Sequence, residues 1–512
     1  MFLDENNFYS VEEGSSGVLY LTDNLGNVDR FQPNCDLEKT QEYLYEFHEL
    51  LTEQNNKVKN SFIIDNRDWY PSSVSTLYWQ FFFQYVKYET LIEKWKSGQI
   101  HFRDIGPGRF NNLLCCLGYK NGNSQSPIKN IFRILVNKVI FIRNRLVVSG
   151  GDKKILFLRA SLDDFRTNEI LENLQSKFFV SQLIPISAVR LDQFLFDSSL
   201  FISPVSSIGS FVFSDIELND TSHWIFKYAL EHVKKNILQH IARYSTFKTF
   251  LTNKSFDLFV GLDDCNYPYP YLYAVQDNDM LCIGIQHGGY AMRHEGYVMK
   301  NLATHPWYDY LIVWGEYWKK IFIKNNKIFP ASNVLVASNK HAYQYDILPK
   351  PDSSKSILIP YEFLADTILI GKFMQAFYAE GFKIYFKHRS DEVASDQVKS
   401  YELGSIANNL ILVGEITPEI MASIDIVAGT MTTLLYDLLP YNKPIWILET
   451  PFRLQYDMVD NGLARLFCWD DIENIGEIYG DDFQQKWGGN IEYHSGSLPI
   501  VDAVISIKEN TE

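Results

Sequence analysis

Two polar stretches in the middle of the chain carry groups that can move a proton, and each follows an apolar run. Asp263 and Asp264 end the run FDLFVGLDD, and GIQHGGYAMRHEGY (284–297) follows NDMLCI. Histidine has an unperturbed pKa of about 6.5, close to the working pH that acid–base catalysis prefers, and a carboxylate can also act as the base. The candidate acid–base residues are His287, Asp263, Asp264 and Glu295, with His287 ranked slightly first.

The glycine pair after His287 supports that ranking. Gly288 and Gly289 let the backbone turn tightly and come close to a ligand, so that the histidine can point into a gap. The same candidate cleft includes Gln286, Gly288, Gly289, Arg293 and His294. Simpler interpretations stay open: a solvated turn or helix cap for the two aspartates, a hydrogen bond to a backbone carbonyl for His287, and exposed side chains for His294 and Glu295.

Groups that can hold a phosphate lie further along the chain, again at the ends of apolar runs. The run IDIVA is followed by a glycine and three threonines, and hydroxyls with free backbone N–H groups at a helix start suit an anion. The candidate residues for a phosphorylated ligand are Lys387, His388, Arg389, Gly429, Thr430, Thr432, Thr433 and Glu449. As alternatives, the threonines cap a helix, and Lys387 and Arg389 pair with Asp391 and Glu392.

The elements that must position these groups alternate between short apolar runs and helical patterns. Such alternation indicates β-α-β units and a parallel sheet, whose ligands bind outside the carboxyl ends of the strands. The pattern restarts after PKPDSS (349–354), which predicts two domains, residues 1–345 and 346–512. In the N-terminal part, SFIID (61–65) is predicted as a first strand, and the segments 75–95 and 223–247 as helices.

Composition excludes several classes of protein. With a net charge of -15, nucleic acid is not an expected partner. Six cysteines without CxxC spacing indicate a reducing compartment. We expect no secretory signal, because the start MFLDENNFYS lacks a basic and apolar pattern, and no membrane-spanning helix, because no run approaches 18 apolar residues. The chain has no HExxH, GxSxG or GxGxxG motif, so we expect neither a metal site nor a serine hydrolase nor a nicotinamide enzyme.

The motifs, taken in order, resemble those of a known family. IDIVAGTMTTLLYDLLPYNKPIWILE (424–449), the QHGG strand end and YDYLIVWGEYWKKIF (308–322) are similar to motifs of bacterial glycosyltransferases with two Rossmann domains, the GT-B architecture. Those enzymes build capsules and O-antigens, and a Ser/Thr-rich helix start holds the donor phosphate. The resemblance covers about residues 256–450. Many relatives carry Arg-x-His-Pro where this chain has Lys387, His388 and Arg389 without the proline.

The resemblance implies an α/β fold with two Rossmann-like doubly wound domains facing a cleft. It implies a metal-independent, inverting glycosyltransferase without a cofactor, of hexosyl or ulosonic-acid type, acting in polysaccharide biosynthesis. The donor would be a nucleotide-sugar, and the acceptor a surface polysaccharide (capsule, O-antigen or lipopolysaccharide) or a lipid-linked glycan. We expect a cytoplasmic location, with peripheral association at the inner face of the membrane left open.

Three other functions stay open on the same residues. A CDP-polyol phosphotransferase that makes a teichoic-acid-like polymer would share the C-terminal architecture. A nucleotide-sugar epimerase would share the two-domain shape and would turn over without an acceptor. A non-catalytic binding module of a polysaccharide assembly complex would keep the fold but lose the cationic clamp, so Lys387, Arg389 and the threonines argue mildly against it.

Overall fold

The computed structural model describes most of the 512 residues. The described residues are 8–14, 17–53, 60–119, 139–140, 143, 154–159, 165–185, 199–202, 213, 218, 223–252, 256–262, 269–286, 308–325, 329–337, 350–351, 353–362, 365–389, 393–450, 456–484 and 498–511. Within them the chain forms sheets of four, seven and six strands and a two-stranded hairpin.

The first sheet belongs to an N-terminal unit that the sequence did not predict. Its strands run in the order β3-β2-β1-β6, parallel between β1 and β6 and antiparallel elsewhere. Alternate side chains, Tyr9 and Val11 on β1 and Leu19 and Leu21 on β2, point into the core. The elements are β1 (Phe8–Glu13), β2 (Leu19–Thr22), β3 (Val28–Phe31), α1 (Leu37–Glu53), β4 (Ile63–Ile64), β5 (Arg67–Asp68), α2 (Tyr70–Thr76), α3 (Phe83–Lys96), β6 (His101–Ile105) and α4 (Arg109–Cys116).

The strand expected at SFIID is shorter than predicted and is not the first strand of the chain. β4 covers two residues and pairs antiparallel with β5. Asp65 and Asn66 connect them with φ angles of 52° and 62°. Positive φ at both central residues is the signature of a tight hairpin turn. This segment is therefore a hairpin and not the first strand of a parallel sheet.

The seven-stranded sheet is parallel throughout, with the order β13-β12-β11-β10-β7-β8-β9. Counted along this domain, the order is the 3-2-1-4-5-6 arrangement of a Rossmann sheet with one strand added. The elements are β7 (Lys154–Leu158), α5 (Phe165–Gln175), β8 (Phe179–Pro185), β9 (Leu200–Ile202), α6 (Phe226–Leu251), β10 (Leu258–Leu262), α7 (Tyr269–Gln276), β11 (Leu281–Ile285), β12 (Tyr310–Val313), α8 (Glu316–Asn325) and β13 (Val334–Val336).

The six-stranded sheet is also parallel, with the order β16-β15-β14-β17-β18-β19. This is again the Rossmann order. The elements are β14 (Ser356–Pro360), α9 (Thr367–Ala379), β15 (Lys383–Lys387), α10 (Ala394–Lys399), β16 (Ile411–Val413), α11 (Pro418–Ser423), β17 (Ile426–Gly429), α12 (Leu434–Asp437), β18 (Ile445–Leu448), α13 (Tyr456–Asp460), β19 (Arg465–Phe467), α14 (Ile475–Gln484) and α15 (Ile500–Thr511).

The predicted aromatic helix joins the N-terminal unit to the first Rossmann sheet. α2 continues through a π-helical stretch (Leu77–Phe82) into α3, and this run packs on α1 and α6. Phe47, Phe82 and Phe226 form a triangle of rings with centroids 5.5–6.0 Å apart. Edge-to-face aromatic packing of this kind stabilises helix contacts beyond the area that it buries.

The two Rossmann sheets turn their carboxyl edges toward each other. Tyr317 and Trp318 lie at the start of α8, directly after β12, and Tyr436 lies in α12, directly after β17. The rings of Trp318 and Tyr436 are 4.6 Å apart, and the hydroxyls of Tyr317 and Tyr436 are 3.4 Å apart. Since both helices leave the carboxyl ends of strands, these contacts confirm the predicted α/β fold with two Rossmann-like domains facing a cleft.

The last helix returns to the first Rossmann sheet. Ala503, Val504 and Ile507 of α15 are buried in one cluster with residues of β7, β10, β11 and β12. The segment 500–511 thus packs with the domain predicted to end at residue 345.

No helix among the described residues has the length and apolar character needed to cross a membrane.

Candidate functional site

The ends of three neighbouring strands bring candidate residues together at the carboxyl edge of the second Rossmann sheet. In a doubly wound sheet the strand order reverses at a switch point, and the crevice outside that point binds ligands. Here the switch point lies between β14 and β17, with β15 on the other side of β14. Glu362 follows β14, Lys387 ends β15, and Thr430 follows β17.

The carboxylate of Glu362 occupies the turn that begins at Thr430. Its oxygens accept hydrogen bonds from the N–H groups of Thr430 at 2.9 and 3.0 Å and of Met431 and Thr432 at 2.9 Å each. The Thr430 hydroxyl donates to the same carboxylate. Glu362 is 2% exposed. A side chain of the protein therefore fills the anion-binding position that the sequence assigns to a phosphate.

Gly429 leaves the space that this arrangement needs. A Cβ atom at Gly429 would lie 3.1 Å from the nearer carboxylate oxygen of Glu362 and 3.4 Å from a methyl group of Leu435. That spacing is tighter than ordinary van der Waals contact, so a glycine permits the carboxylate to approach the backbone.

Burial and hydrogen bonding act in opposite directions on Glu362. Burial raises the pKa of its carboxyl above the ordinary value, and the bonds from Thr430, Met431 and Thr432 partly oppose that rise. The N–H group of Glu362 donates to the hydroxyl of Tyr401 at 3.0 Å, which fixes the backbone of the β14–α9 connection.

The expectation of free N–H groups at Thr430–Thr432 needs a correction, because Glu362 already accepts from them. The hydroxyl of Thr432 accepts from the N–H of Leu434 at 3.3 Å, which is a capping contact. Thr433 sits at the N-cap of α12 without a side-chain capping bond. Both threonines are half-buried.

The predicted cationic cluster lies at the end of β15. The ammonium of Lys387 donates to the carbonyl of His388 at 2.7 Å, and His388 Nδ1 lies 3.1 Å from the carbonyl of Arg389. Gln397 of α10, which is 1% exposed, holds the backbone of Arg389 through two bonds of 2.9 and 3.0 Å. These two hydrogen bonds from Gln397 fix the direction of the chain after β15. The alternative partners Asp391 and Glu392 lie outside the described residues.

Glu449 extends the same edge at the end of β18. Its N–H donates to the carbonyl of Phe467 at 2.9 Å. Burial, followed by a hydrogen bond to the Glu449 carboxylate, raises the pKa of the Cys468 thiol to about 11. At neutral pH the thiol is therefore protonated and donates to Glu449.

Of the residues predicted on the first Rossmann sheet, Gln286 is described. It follows β11, is 2% exposed, and its amide oxygen accepts from the N–H of Trp314 at 2.9 Å. That bond ties the ends of β11 and β12 together. The other predicted residues on this sheet lie outside the described residues: Asp263, Asp264, His287, Gly288, Gly289, Arg293, His294 and Glu295.

A buried arginine at the switch point of the first Rossmann sheet was missed by sequence reasoning. Arg159 follows β7, which is flanked by β8 and β10, and is 2% exposed. Its guanidinium donates to Thr167 at 2.8 Å, to Gln182 at 2.5 Å and to Asn168. The signal was present in the sequence FLRAS, where a cation directly follows an apolar run.

Among the described residues, no group of three or more His, Cys, Asp or Glu is arranged to hold a metal ion.

Comparisons with known proteins found similar structures. No protein-family model matches the chain, and no curated protein matches its sequence. CalG4, the calicheamicin glycosyltransferase, is 11% identical with a TM-score of 0.47, over 70% of this chain and 98% of that one.

Two further solved structures are similar over the same share of the chain. MurG of Acinetobacter baumannii is 12% identical with a TM-score of 0.43, over 70% of this chain and 100% of that one. S. aureus MnaA, solved with UDP, is 11% identical with a TM-score of 0.45, over 70% of this chain and 97% of that one. The strand orders and the facing carboxyl edges establish the fold of this chain as two Rossmann-like domains.

Proposed function

We propose that the protein is a glycosyltransferase that moves a sugar from a nucleotide-sugar donor to a glycan acceptor in the cleft between its two Rossmann-like domains. One observation carries the proposal: the carboxyl edges of both sheets face each other, with Tyr317 and Tyr436 in contact across the cleft. Ligands of such sheets bind at that edge, so two substrates can meet between the domains.

The donor belongs on the second domain in this proposal. Because Glu362 takes the N–H groups of Thr430–Thr432, we assign the phosphate contacts to the hydroxyls of Thr432 and Thr433 and to the cations Lys387 and Arg389. Fixed cations can neutralise the charge that develops on a leaving phosphate, which is work that a metal ion would otherwise do. Glu362 holds the threonine turn in one geometry before the donor arrives.

The acceptor belongs on the first domain. The base that removes its proton must lie within hydrogen-bond reach of the acceptor hydroxyl, opposite the donor. The segments that follow β10 and β11 leave the facing edge, and they carry Asp263, Asp264, His287 and Glu295. His287 is our first assignment.

The substrate class and setting complete the proposal. We assign an inverting, metal-independent transfer to a surface polysaccharide or lipid-linked glycan on the cytoplasmic side of the membrane. A hexosyl and an ulosonic-acid donor both fit this assignment.

The test is an assay of nucleotide release from UDP-, GDP- and CMP-linked sugars and from CDP-glycerol, each with and without a glycan acceptor. Acceptor-dependent release from a sugar nucleotide is the expected result. Conversion of a nucleotide-sugar without an acceptor would identify an epimerase, and release from CDP-glycerol alone would identify a polyol phosphotransferase. Failure of every donor to react or bind would contradict all three activities.

A further inference from the structure

The helical part of the N-terminal unit lines an open cavity of about 470 Å³, a size that suits a small molecule. The cavity is lined by side chains of α1, α3 and the segment before α6: Tyr43, Tyr85, Glu89, Glu93, His223 and Trp224. None of these residues belongs to the strand ends that form the proposed transferase site. The cavity is therefore separate from that site.

Aromatic rings form the walls of this cavity. Tyr43 stands at 79° to Tyr85, with centroids 5.6 Å apart, and at 84° to His223, with centroids 5.1 Å apart. Tyr85 stands at 82° to Trp224, with centroids 6.2 Å apart. In such contacts the edge of one ring lies against the face of the next. The faces of such rings carry negative potential and attract cations.

Two carboxylates also line the cavity. Glu89 and Glu93 lie four residues apart on α3, on the same helix face. Glu89 accepts from the hydroxyl of Tyr43 at 2.7 Å and is neutralised by Lys39. Glu93 accepts from the hydroxyl of Tyr85 at 2.6 Å and the indole N–H of Trp224 at 2.9 Å. Both donors to Glu93 are neutral, and no cation of the described residues forms a salt bridge with it.

Two hydrogen bonds thus hold the carboxylate of the exposed residue Glu93 in position, without a salt bridge to a described residue. Burial, followed by the hydrogen bond to Glu93, raises the pKa of Tyr85, so its hydroxyl stays protonated and keeps donating. The indole of Trp224 already attracts one ammonium, since Lys96 Nζ lies 4.9 Å from its ring centre. We propose that the cavity binds a ligand with an ammonium group, held against Glu93 and the surrounding ring faces.

An ammonium group of this kind can come from a choline-like amine or from an amino sugar. The test is calorimetric titration of the protein with choline and with glucosamine, each beside its uncharged counterpart, 3,3-dimethylbutan-1-ol or N-acetylglucosamine. We expect at least one cation to bind at least about tenfold more tightly than its neutral counterpart. The pair that shows the difference identifies the source of the amine. Equal binding within both pairs, or no binding of either cation at its highest soluble concentration, would overturn the proposal.

Variants separate the charge from the shape of the cavity. Glu93→Gln keeps an acceptor oxygen for Tyr85 and Trp224 but removes the charge, so cation affinity should fall by about tenfold or more. Glu231→Gln is the control, because Glu231 is an exposed acid of α6 that pairs with Lys234. Both variants should unfold at the temperature of the wild type. Wild-type cation affinity in Glu93→Gln would overturn the proposal, as would an equal loss in Glu231→Gln.

Discussion

The carboxylate of Glu362 and the hydroxyl and N–H groups of Thr430 are joined by hydrogen bonds between residues 68 positions apart in sequence. This contact crosses the switch point of the second Rossmann sheet from the end of β14 to the end of β17. It places a carboxyl group of the protein where a ligand phosphate is expected. The donor site that we propose therefore surrounds that carboxyl group and depends on side-chain hydroxyls and cations.

Loss of the Glu362 carboxylate should destabilise the fold. In Glu362→Ala the N–H groups of Thr430, Met431 and Thr432 lose their acceptor, and each unsatisfied buried donor costs about 1–3 kcal/mol. With three such donors we expect the free energy of unfolding to fall by at least about 3 kcal/mol in urea titrations. Glu362→Gln keeps one acceptor oxygen and should lose less. The exposed residue Glu380 supplies the control. A Glu362→Ala protein as stable as Glu380→Ala would contradict a stabilising role for the hydrogen bonds between Glu362 and residues 430–432.

His240 should make the protein sensitive to acid. Burial, followed by the charge of Arg243, lowers the pKa of His240 to about 3, and its Nδ1 lies 2.8 Å from the hydroxyl of Ser72. The unfolded chain takes up the proton near pH 6.5, so the stabilisation is complete above that pH. It is lost at about 1.4 kcal/mol per pH unit as the pH falls toward 3.

His240→Gln should accordingly flatten the dependence of unfolding free energy on pH between about pH 6 and pH 4. His101→Gln, at a partly exposed histidine of β6, controls for the loss of an imidazole. Urea titrations across this range give the slopes. Equal slopes in the wild type and His240→Gln would show that His240 is not the source.

The contact between the domains should depend on the ring of Tyr436 and little on its hydroxyl. Tyr436→Ala removes a ring that is 5% exposed and packs on Trp318, so we expect a loss of about 3–5 kcal/mol of unfolding free energy. Tyr436→Phe keeps the ring and removes the hydroxyl, which lies 3.4 Å from that of Tyr317, and should cost less than about 1.5 kcal/mol. Equal stability of the two variants would mean that the interface does not rest on this ring.

Much of the fold was predictable because the strands of both Rossmann sheets are buried apolar runs. IDIVAG and KPIWILE lead to β17 and β18, and YDYLIVWGEYWKKIF leads to β12 and α8, each close to its expected position. Such strands are covered on both faces, so they need continuous apolar residues and are visible in a single sequence. The N-terminal sheet was missed although Tyr9, Val11, Leu19 and Leu21 alternate, because its strands are short and separated by turn-rich sequence.

The candidate site was less predictable for a physical reason. Strand ends carry polar groups that the sequence displays, such as Lys387 and Thr430, but the sequence does not show which groups pair. In the sequence, Glu362 is only a glutamate that follows a strand. Its role as acceptor for the turn after β17 depends on β14 and β17 being neighbours in the sheet. Arg159 is similar, because its partners Thr167 and Gln182 come from the elements that follow β7.

The general base should be a residue of the segments after β10 and β11. We expect one of the variants Asp263→Asn, Asp264→Asn, His287→Ala or Glu295→Gln to lower turnover by about 10²–10⁴-fold, with little change in donor affinity. Asp279→Asn is the control, because Asp279 precedes β11 at the opposite edge of the sheet and is exposed. Initial rates and donor binding are measured together. Near-normal turnover in all four variants would move the base elsewhere.

The most direct test of the account is calorimetric titration of CMP, CDP, UDP, GDP and ADP into the wild type, Thr432→Val and Arg389→Ala. The account predicts that at least one nucleotide binds. Each variant loses a hydrogen bond to a charged phosphate and should bind it more weakly by about 1.5–3 kcal/mol, roughly ten- to a hundredfold. Asp279→Asn should bind as the wild type does. No binding of any nucleotide, or wild-type affinity in both Thr432→Val and Arg389→Ala, would contradict a donor site at the carboxyl edge of the second sheet.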